Sequence, residues 1–194
     1  MGQRRPCAQV LGGAGVKVNY SIPMSMMGHE APIAAAELAA STPRGAIVEV
    51  GVFRGGCAYY LAEVARARGD QIHLFDTFSG IPFKDAIDHD PVGAFSCGVD
   101  DVRKIIPDAV FHVGIFPGTL PDNLTDIAFV HSDCDQYRSV KAVIDNLWPR
   151  IVPGGILAFD DMDTPGGEAA IREAFSAGRL IPSAAGSHRV YVRK

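Results

Sequence analysis

The chain has 194 residues and a formal net charge of −4, with 47% hydrophobic and 21% charged residues. This length suits one domain that buries a single core. The slightly acidic balance and the lack of a Lys/Arg cluster argue against a nucleic-acid-binding surface, and no apolar run is long enough to span a membrane. The four cysteines are scattered without a C-x-x-C pair, which favours reduced thiols in a cytoplasmic protein.

The first 44 residues are expected to form an arm and one helix. Residues 1–20 show no clear period and lack the apolar core of a signal peptide. Residues 20–28 contain three methionines, which suit either a lid over a pocket or apolar packing onto the core. Residues 30–40 are rich in alanine and predict a helix that Ser-Thr-Pro ends. We therefore assign 1–44 to an N-terminal arm and helix, with a substrate lid as a candidate role, and 45–194 to the main domain.

From residue 45 onward, short apolar runs alternate with helical patterns. Strands are predicted at 46–53, 71–76, 109–113, 127–132 and 156–159, and helices at 57–68, 100–106, 137–147 and 168–175. The segment 77–99 is rich in Gly, Pro and Asp and predicts a long loop with solvated acids. Two closing strands, 180–184 and 188–193, suit an antiparallel sheet edge. We interpret the pattern as five βα repeats followed by two final strands, which together make one doubly wound, Rossmann-like α/β domain.

The strands predicted at 127–132 and 156–159 are each followed directly by acidic residues. Asp133 and Asp135 follow one strand, and Asp160 and Asp161 follow the next. A right-handed crossover places both ends at the same sheet edge, where open α/β sheets bind ligands. Carboxylate oxygens favour Mg²⁺ or a similar divalent cation over zinc. We expect Asp133, Asp160 and Asp161 to hold the cation and Asp135 to be the base that takes a proton.

Plainer interpretations of these acids stay open. Asp133 or Asp135 could cap the helix that follows, and Asp160 and Asp161 could be solvated turn residues. His131 competes with Asp135 for the role of base, but its place inside a strand favours a core histidine.

A glycine-rich turn joins the first strand of the main domain to its helix. In Glu49-x-Gly51-x-x-x-Gly55-Gly56, the glycines allow a tight turn and let backbone N–H groups approach a ligand. Asp76 ends the next strand, where an acid can accept hydrogen bonds from ribose hydroxyls. The dinucleotide fingerprint G-x-G-x-x-G is missing, and an acid before the first glycine suits a cationic ligand. S-adenosylmethionine has both a ribose and a cationic part; the alternative is a plain tight turn.

Several blocks of this sequence resemble the macrocin-type (TylF/MycF/NovP-like) O-methyltransferase family. In family order, they are Glu49-Val-Gly-Val-Phe-Arg-Gly-Gly56, Asp76-Thr-Phe-Ser-Gly-Ile-Pro82, Gly114-Ile-Phe-Pro-Gly-Thr-Leu-Pro121, His131-Ser-Asp-Cys-Asp-Gln-Tyr137 and Pro153-Gly-Gly-Ile-Leu-Ala-Phe-Asp-Asp161. The resemblance covers about residues 45–175. It implies a class I methyltransferase fold, with a mostly parallel seven-stranded sheet and an antiparallel last strand. It also implies S-adenosylmethionine and a divalent metal, usually Mg²⁺.

The same resemblance assigns roles residue by residue. Glu49, Gly51 and Gly55 would contact the methionine part of the cofactor and Asp76 its ribose. Further expected cofactor contacts in these blocks are Gly56, Cys57, Thr77, Gly114, Ile115 and Asp133. Asp133, Asp160 and Asp161 would hold the metal, and Asp135 would be the base. In catechol O-methyltransferases, which are more distantly similar, a lysine three residues after the first metal-binding Asp is the base; that position is Gln136 here.

The sequence therefore predicts a divalent-metal-dependent O-methyltransferase that methylates a hydroxyl of a small molecule, either a sugar diol or a catechol-like compound, in natural-product biosynthesis. No nucleic-acid or membrane partner is expected, and a homodimer is the candidate assembly. One alternative is an NAD(P)-dependent oxidoreductase, against which the missing fingerprint counts. Another is a non-catalytic protein that binds S-adenosylmethionine.

Overall fold

The computed structural model describes residues 9–11, 16–18 and 28–194. Its N-terminal part contains two short antiparallel strands, β1 (Gln9–Leu11) and β2 (Val16–Val18), and helix α1 (Glu30–Ala40). The pair β1–β2 was not predicted, because strands of three residues leave no periodic pattern. The lid suggested for the methionine-rich stretch falls on residues 20–28, of which 20–27 lie outside the described residues.

The main domain alternates strands and helices as predicted. Its elements are β3 (Ala46–Val50), α2 (Gly56–Arg68), β4 (Ile72–Asp76), α3 (Val99–Ile105), β5 (Val110–Val113), β6 (Ile127–Ser132), α4 (Tyr137–Leu147), β7 (Ile151–Phe159), α5 (Pro165–Ala174), β8 (Ile181–Ser183) and β9 (Gly186–Arg193). They form a seven-stranded sheet of order β5-β4-β3-β6-β7-β9-β8. The strands from β5 to β7 are parallel, and β9 is antiparallel to both of its neighbours. This confirms the predicted sheet.

The order of the strands fixes where a ligand can bind. The chain runs outward from β3 to β4 and β5, and then returns to β6 on the other side of β3. The two strands β3 and β6 therefore flank the point where the strand order reverses. In open α/β sheets, ligands bind outside the carboxyl ends of the strands at such a point.

Apolar side chains cover both faces of the sheet. Because successive side chains of a strand point to opposite faces, Ile47 packs with α1 and α2, whereas Val48 packs with α4 and α5. All six residues of β6 are buried, as expected of a central parallel strand. In the described ranges, no helix is long and apolar enough to cross a membrane.

Three local predictions need correction. The third βα repeat has no helix, since residues 114–126 contain two prolines and turn back without one. Strand β7 begins at Ile151, not at residue 156, because its Gly154–Gly155 backbone pairs with Lys194 instead of turning away. Helix α5 begins at Pro165, three residues early, where Thr164 caps it by accepting from the N–H of Gly167 at 3.2 Å.

The long loop between β4 and α3 is anchored by one buried acid. Asp88 is only 5% exposed, so the expectation of a solvated side chain is wrong at this position. Its Oδ1 accepts from the N–H of Tyr137 at the start of α4, and its Oδ2 accepts from the N–H of Asp85, both at 2.8 Å. The loop is thereby fixed beside the carboxyl ends of the central strands.

Candidate active site

A cleft of about 430 Å³ opens at the carboxyl ends of β3, β4, β6 and β7. This volume lies in the usual range of small-molecule sites. Except for Gly55 and Asp161, every residue that the sequence assigned to the site lines the cleft: Glu49, Gly51, Gly56, Cys57, Asp76, Thr77, Gly114, Ile115, Asp133, Asp135 and Asp160.

The glycine turn brings the backbones after β3 and β6 into direct contact. Gly51 has φ +88°, and a Cβ at this position would lie 1.7 Å from the carbonyl oxygen of Asp133. The N–H of Asp133 in turn donates to the carbonyl of Val50 at 2.9 Å. Gly55 has φ +79° and precedes α2, where a Cβ would lie 2.9 Å from Val102. Gly55 therefore shapes the turn without lining the cleft.

Asp76 holds the glycine turn in place. Its Oδ2 accepts from the N–H groups of Val52 at 2.7 Å and Phe53 at 2.8 Å, and its Oδ1 accepts from the N–H of Phe78 at 2.7 Å. The sequence suggested only a contact with ribose and missed this structural role. Since Oδ1 accepts a single hydrogen bond from the described residues, it retains a lone pair for a ligand hydroxyl.

Glu49 is a buried acid with one unpartnered oxygen. The side chain is 1% exposed, and its Oε1 lies 3.0 Å from Nδ1 of His131. Its Oε2 has no hydrogen-bond partner among the residues that the structure describes. Burial raises the pKa of Glu49, and its contact with His131 opposes that rise. Because Glu49 lines the cleft, this oxygen provides a place for a cationic ligand group.

Three of the predicted acids come together after β6 and β7. Carboxylate oxygens of Asp133, Asp135 and Asp161 lie within 4.8 Å of one another. Asp161 accepts from the N–H of Asp135 at 3.1 Å and from that of Cys134 at 3.4 Å, so it holds the turn after β6. Asp135 has φ +59°, an unusual conformation for a residue other than glycine.

The fourth acid, Asp160, forms an ion pair with Arg189 of β9. The antiparallel register pairs Phe159 with Val190, so the preceding residue of β9 lies beside the end of β7. Sequence reasoning missed Arg189, because alternation predicts a strand but not which of its residues meets a neighbouring strand end. The charge of Asp160 still acts on Asp133, Asp135 and Asp161, since it raises the pKa of all three.

Burial and mutual repulsion disfavour the ionised form of these acids. Burial, followed by the charges of Asp160 and Asp161, raises the pKa of Asp133 well above its usual range. Burial, followed by the charges of Asp90, Asp160 and Asp163, raises the pKa of Asp135 to about 6. A divalent cation among these oxygens would offset the repulsion, and the all-oxygen donor set fits Mg²⁺.

Comparison with known proteins matches this chain to one protein family. The macrocin O-methyltransferase (TylF) family matches residues 23–186. The chain is 34% identical to the 8-demethyl-8-(2,3-dimethoxy-alpha-L-rhamnosyl)-tetracenomycin-C 4'-O-methyltransferase of Streptomyces olivaceus, over 60% of this chain and 52% of that protein. It is 30% identical to the demethyldecarbamoylnovobiocin O-methyltransferase of Streptomyces niveus, over the same shares. The chain thus spans about half the length of these curated relatives.

A solved structure agrees on the fold. The O-methyltransferase NovP superposes with a TM-score of 0.73 at 23% identity, over 90% of this chain and 83% of that one. With the family match extending over most of the sequence, the chain belongs to the macrocin O-methyltransferase (TylF) family.

Proposed function

We propose that this protein is an O-methyltransferase that uses S-adenosylmethionine and a divalent cation, Mg²⁺ or a similar ion, to methylate a hydroxyl of a small molecule. The observation that carries the proposal is a pairing within one cleft. Glu49, a buried acid whose Oε2 has no partner among the described residues, lines this cleft together with Asp133 and Asp135, and a carboxylate oxygen of Asp161 lies within 4.8 Å of those of Asp133 and Asp135. The carboxylate of Glu49 suits a cationic methyl donor, and the group of Asp133, Asp135 and Asp161 suits a hard metal ion.

The donor would bind along the ends of β3 and β4. The free Oε2 of Glu49 would accept from the donor's ammonium group, and Oδ1 of Asp76 would accept from a ribose hydroxyl. Gly51 and Gly56 leave room for the ligand beside the turn, and further contacts would come from Cys57, Thr77, Gly114 and Ile115. The donor supplies a methyl group on a positively charged sulfur, which an oxygen nucleophile displaces in line.

The acceptor would bind at the acidic group. Asp133, Asp160 and Asp161 would hold the cation, with Asp160 using the oxygen that does not contact Arg189. Mg²⁺, when bound, lowers the pKa of a hydroxyl and orients it. Asp135 would accept the hydroxyl proton, because a carboxyl with a pKa of about 6 is mostly ionised at neutral pH. Two vicinal oxygens of a sugar diol or a catechol would suit this arrangement.

The names of the two curated relatives describe O-methylation of a rhamnosyl tetracenomycin and of demethyldecarbamoylnovobiocin. These names support a hydroxylated natural product as the acceptor. Membership of a methyltransferase family favours this function over the oxidoreductase considered from the sequence.

Methyl transfer to panels of sugar diols and catechols, with Mg²⁺ or EDTA, tests the proposal. We expect Asp135→Asn to lower turnover by about 100-fold or more, with little change in the affinity for S-adenosylmethionine measured by isothermal titration. Asp160→Asn should likewise lower activity more than donor binding. Asp85→Asn is the control, because Asp85 lies outside the cleft in an exposed ion pair with Arg138. Full activity in EDTA would rule out the metal, and unchanged turnover of Asp135→Asn would rule out the base.

A further inference from the structure

Three different donor atoms meet where Glu49 and Cys57 line the cleft. Glu49 of β3, Cys57 of α2 and His131 of β6 offer a carboxylate oxygen, a sulfur and a ring nitrogen that all lie within 4.8 Å of one another. The Sγ of Cys57 lies 3.6 Å from Nδ1 of His131, and Oε1 of Glu49 lies 3.0 Å from the same nitrogen. The three side chains are 1%, 5% and 4% exposed. Each of the three residues belongs to a helix or strand of the core, which fixes its position.

The distances suit a tetrahedral zinc-type ion. With metal–sulfur and metal–nitrogen bonds of about 2.3 and 2.0–2.1 Å, a tetrahedral angle separates the two ligand atoms by about 3.6 Å. The separation of Cys57 and His131 already has this value. The contact of Glu49 with His131 would have to open by about 0.3 Å to admit the ion. Three protein ligands leave a fourth position, which faces the cleft because Glu49 and Cys57 line it.

The local charges also favour a soft cation. Oε2 of Glu49 is buried, and within the described part of the chain it has no hydrogen-bond partner. Burial, followed by the negative charges of Glu49 and Asp133, raises the pKa of Cys57 well above its usual range, so the thiol stays protonated while no cation is near. On binding, the S–H bond breaks, its proton passes to solvent and a sulfur–metal bond forms. The ion would replace the proton between Nδ1 of His131 and Oε1 of Glu49, and His131 would then carry its single ring proton on Nε2. The charges of one thiolate, one carboxylate and a divalent ion then sum to zero, which a buried site requires.

We propose that Glu49, Cys57 and His131 form a second cation site, selective for zinc-type ions, and that its occupancy excludes the methyl donor. The exclusion rests on the proposed function, which assigns Glu49 to the donor's ammonium group: a cation bound to this carboxylate would cancel the negative charge that attracts the ammonium. The site differs from the acidic group of Asp133 in its ligands: sulfur and nitrogen select zinc-type ions, whereas carboxylates alone select Mg²⁺.

Cobalt titration of the 194-residue chain, with excess Mg²⁺ to occupy the acidic group, tests the site directly. We expect a thiolate-to-cobalt charge-transfer absorption that Zn²⁺ abolishes by displacing the Co²⁺. Cys57→Ser should remove the absorption and weaken Co²⁺ binding by more than about tenfold, since loss of an outer partner alone costs that much. Cys97→Ser and Cys134→Ser are the controls, and both variants should retain the charge-transfer absorption. An absent absorption in the unmodified protein, or one that survives Cys57→Ser, would overturn the site.

Competition with the donor tests the exclusion separately. Saturating S-adenosylmethionine should weaken Co²⁺ binding by about tenfold or more, and Zn²⁺ should weaken donor binding in return, because such coupling is reciprocal. Unchanged Co²⁺ affinity at saturating donor would overturn the exclusion and leave the cation site standing. If S-adenosylmethionine itself fails to bind in the presence of Mg²⁺, both the proposed function and the exclusion are wrong. The cobalt absorption still tests the cation site independently of that result.

Discussion

At the scale of single residues, two acids of the candidate site accept hydrogen bonds from the backbone, in addition to any contact with a ligand. Asp76 accepts three backbone N–H groups, and Asp161 accepts two. An asparagine at either position would disturb the adjacent loop along with any ligand contact. The carboxylate of Asp135 accepts no hydrogen bond from the described residues; its backbone N–H donates to Asp161, and its backbone carbonyl accepts from the hydroxyl of Thr164. Substitution of Asp135 is therefore a cleaner probe of chemistry than substitution of Asp76 or Asp161.

Gly51 is the residue whose change should be least tolerated. In Gly51→Ala, the new Cβ would meet the carbonyl oxygen of Asp133 at 1.7 Å, in a backbone conformation of φ +88°. Strain and overlap together should lower the free energy of unfolding by about 3 kcal/mol or more, and donor binding should be lost because the two loops must separate. Urea unfolding and calorimetric titration with S-adenosylmethionine measure the two effects.

Gly93 is a matched control for that substitution. It has φ +86°, and a Cβ added there would meet no atom of the described residues within 4 Å beyond its chain neighbours. Gly93→Ala should therefore cost only the strain of the backbone conformation, about 1–2 kcal/mol. Equal losses of stability in the two variants would show that the contact between Gly51 and Asp133 is unimportant.

At the scale of elements, the sequence predicted strands better than their ends. The central strands are buried on both faces and are visible as apolar runs. The start of β7 was missed because Pro153, Gly154 and Gly155 are typical of a turn, whereas here the backbone of the two glycines pairs with Lys194. Asp88 was misjudged for a similar reason, since only the packed structure shows that its loop reaches α4.

Strands β4 and β5 contain a pair of histidines that should make stability depend on pH. Nδ1 of His73 lies 3.0 Å from Nε2 of His112, and the two rings stack. Burial, followed by the charge of His112, lowers the pKa of His73 from 6.5 to about 4. The unfolded chain therefore binds more protons than the folded one between these values. The stabilisation is fully present above pH 6.5 and is lost as the pH falls towards 4.

The expected loss from His73 between pH 7 and pH 5 is about 2 kcal/mol. Urea unfolding at several pH values should show a shallower pH dependence for His73→Gln than for the unmodified protein. His89→Gln is the control, because the side chain of His89 is 80% exposed, and it should retain the original dependence. If both variants follow the unmodified protein, the buried histidine pair is not the cause.

At the scale of the whole molecule, topology explains why the sequence located the site but not its contacts. Parallel strands put Glu49, Asp76, Asp133 and Asp160 at one edge, and a sequence pattern is sufficient to predict this. It cannot predict that Glu49 meets His131, 82 residues away, or that Asp160 meets Arg189. Those contacts depend on strand order and register, which are set by packing across the entire sheet.

The division at residue 45 stays a prediction. It was placed by composition, and it separates α1 from the main domain. In the structure, Ala35, Ala36 and Ala39 of α1 belong to the buried cluster that also contains Leu61 of α2. Arg68 of α2 donates to the carbonyl of Ala39 at 2.7 Å. We therefore infer that α1 unfolds together with the sheet.

A buried charge on α1 tests this inference. Ala36 is 0% exposed, and Ala36→Asp would bury a carboxyl group among apolar side chains, which should lower the free energy of unfolding by about 3 kcal/mol or more. The neighbouring Glu37 is exposed, and Glu37→Ala should change stability by less than about 0.5 kcal/mol. Thermal unfolding followed by circular dichroism should show one cooperative transition that Ala36→Asp shifts as a whole. A helix that merely docked on the domain would instead give a separate early transition and leave the main one in place.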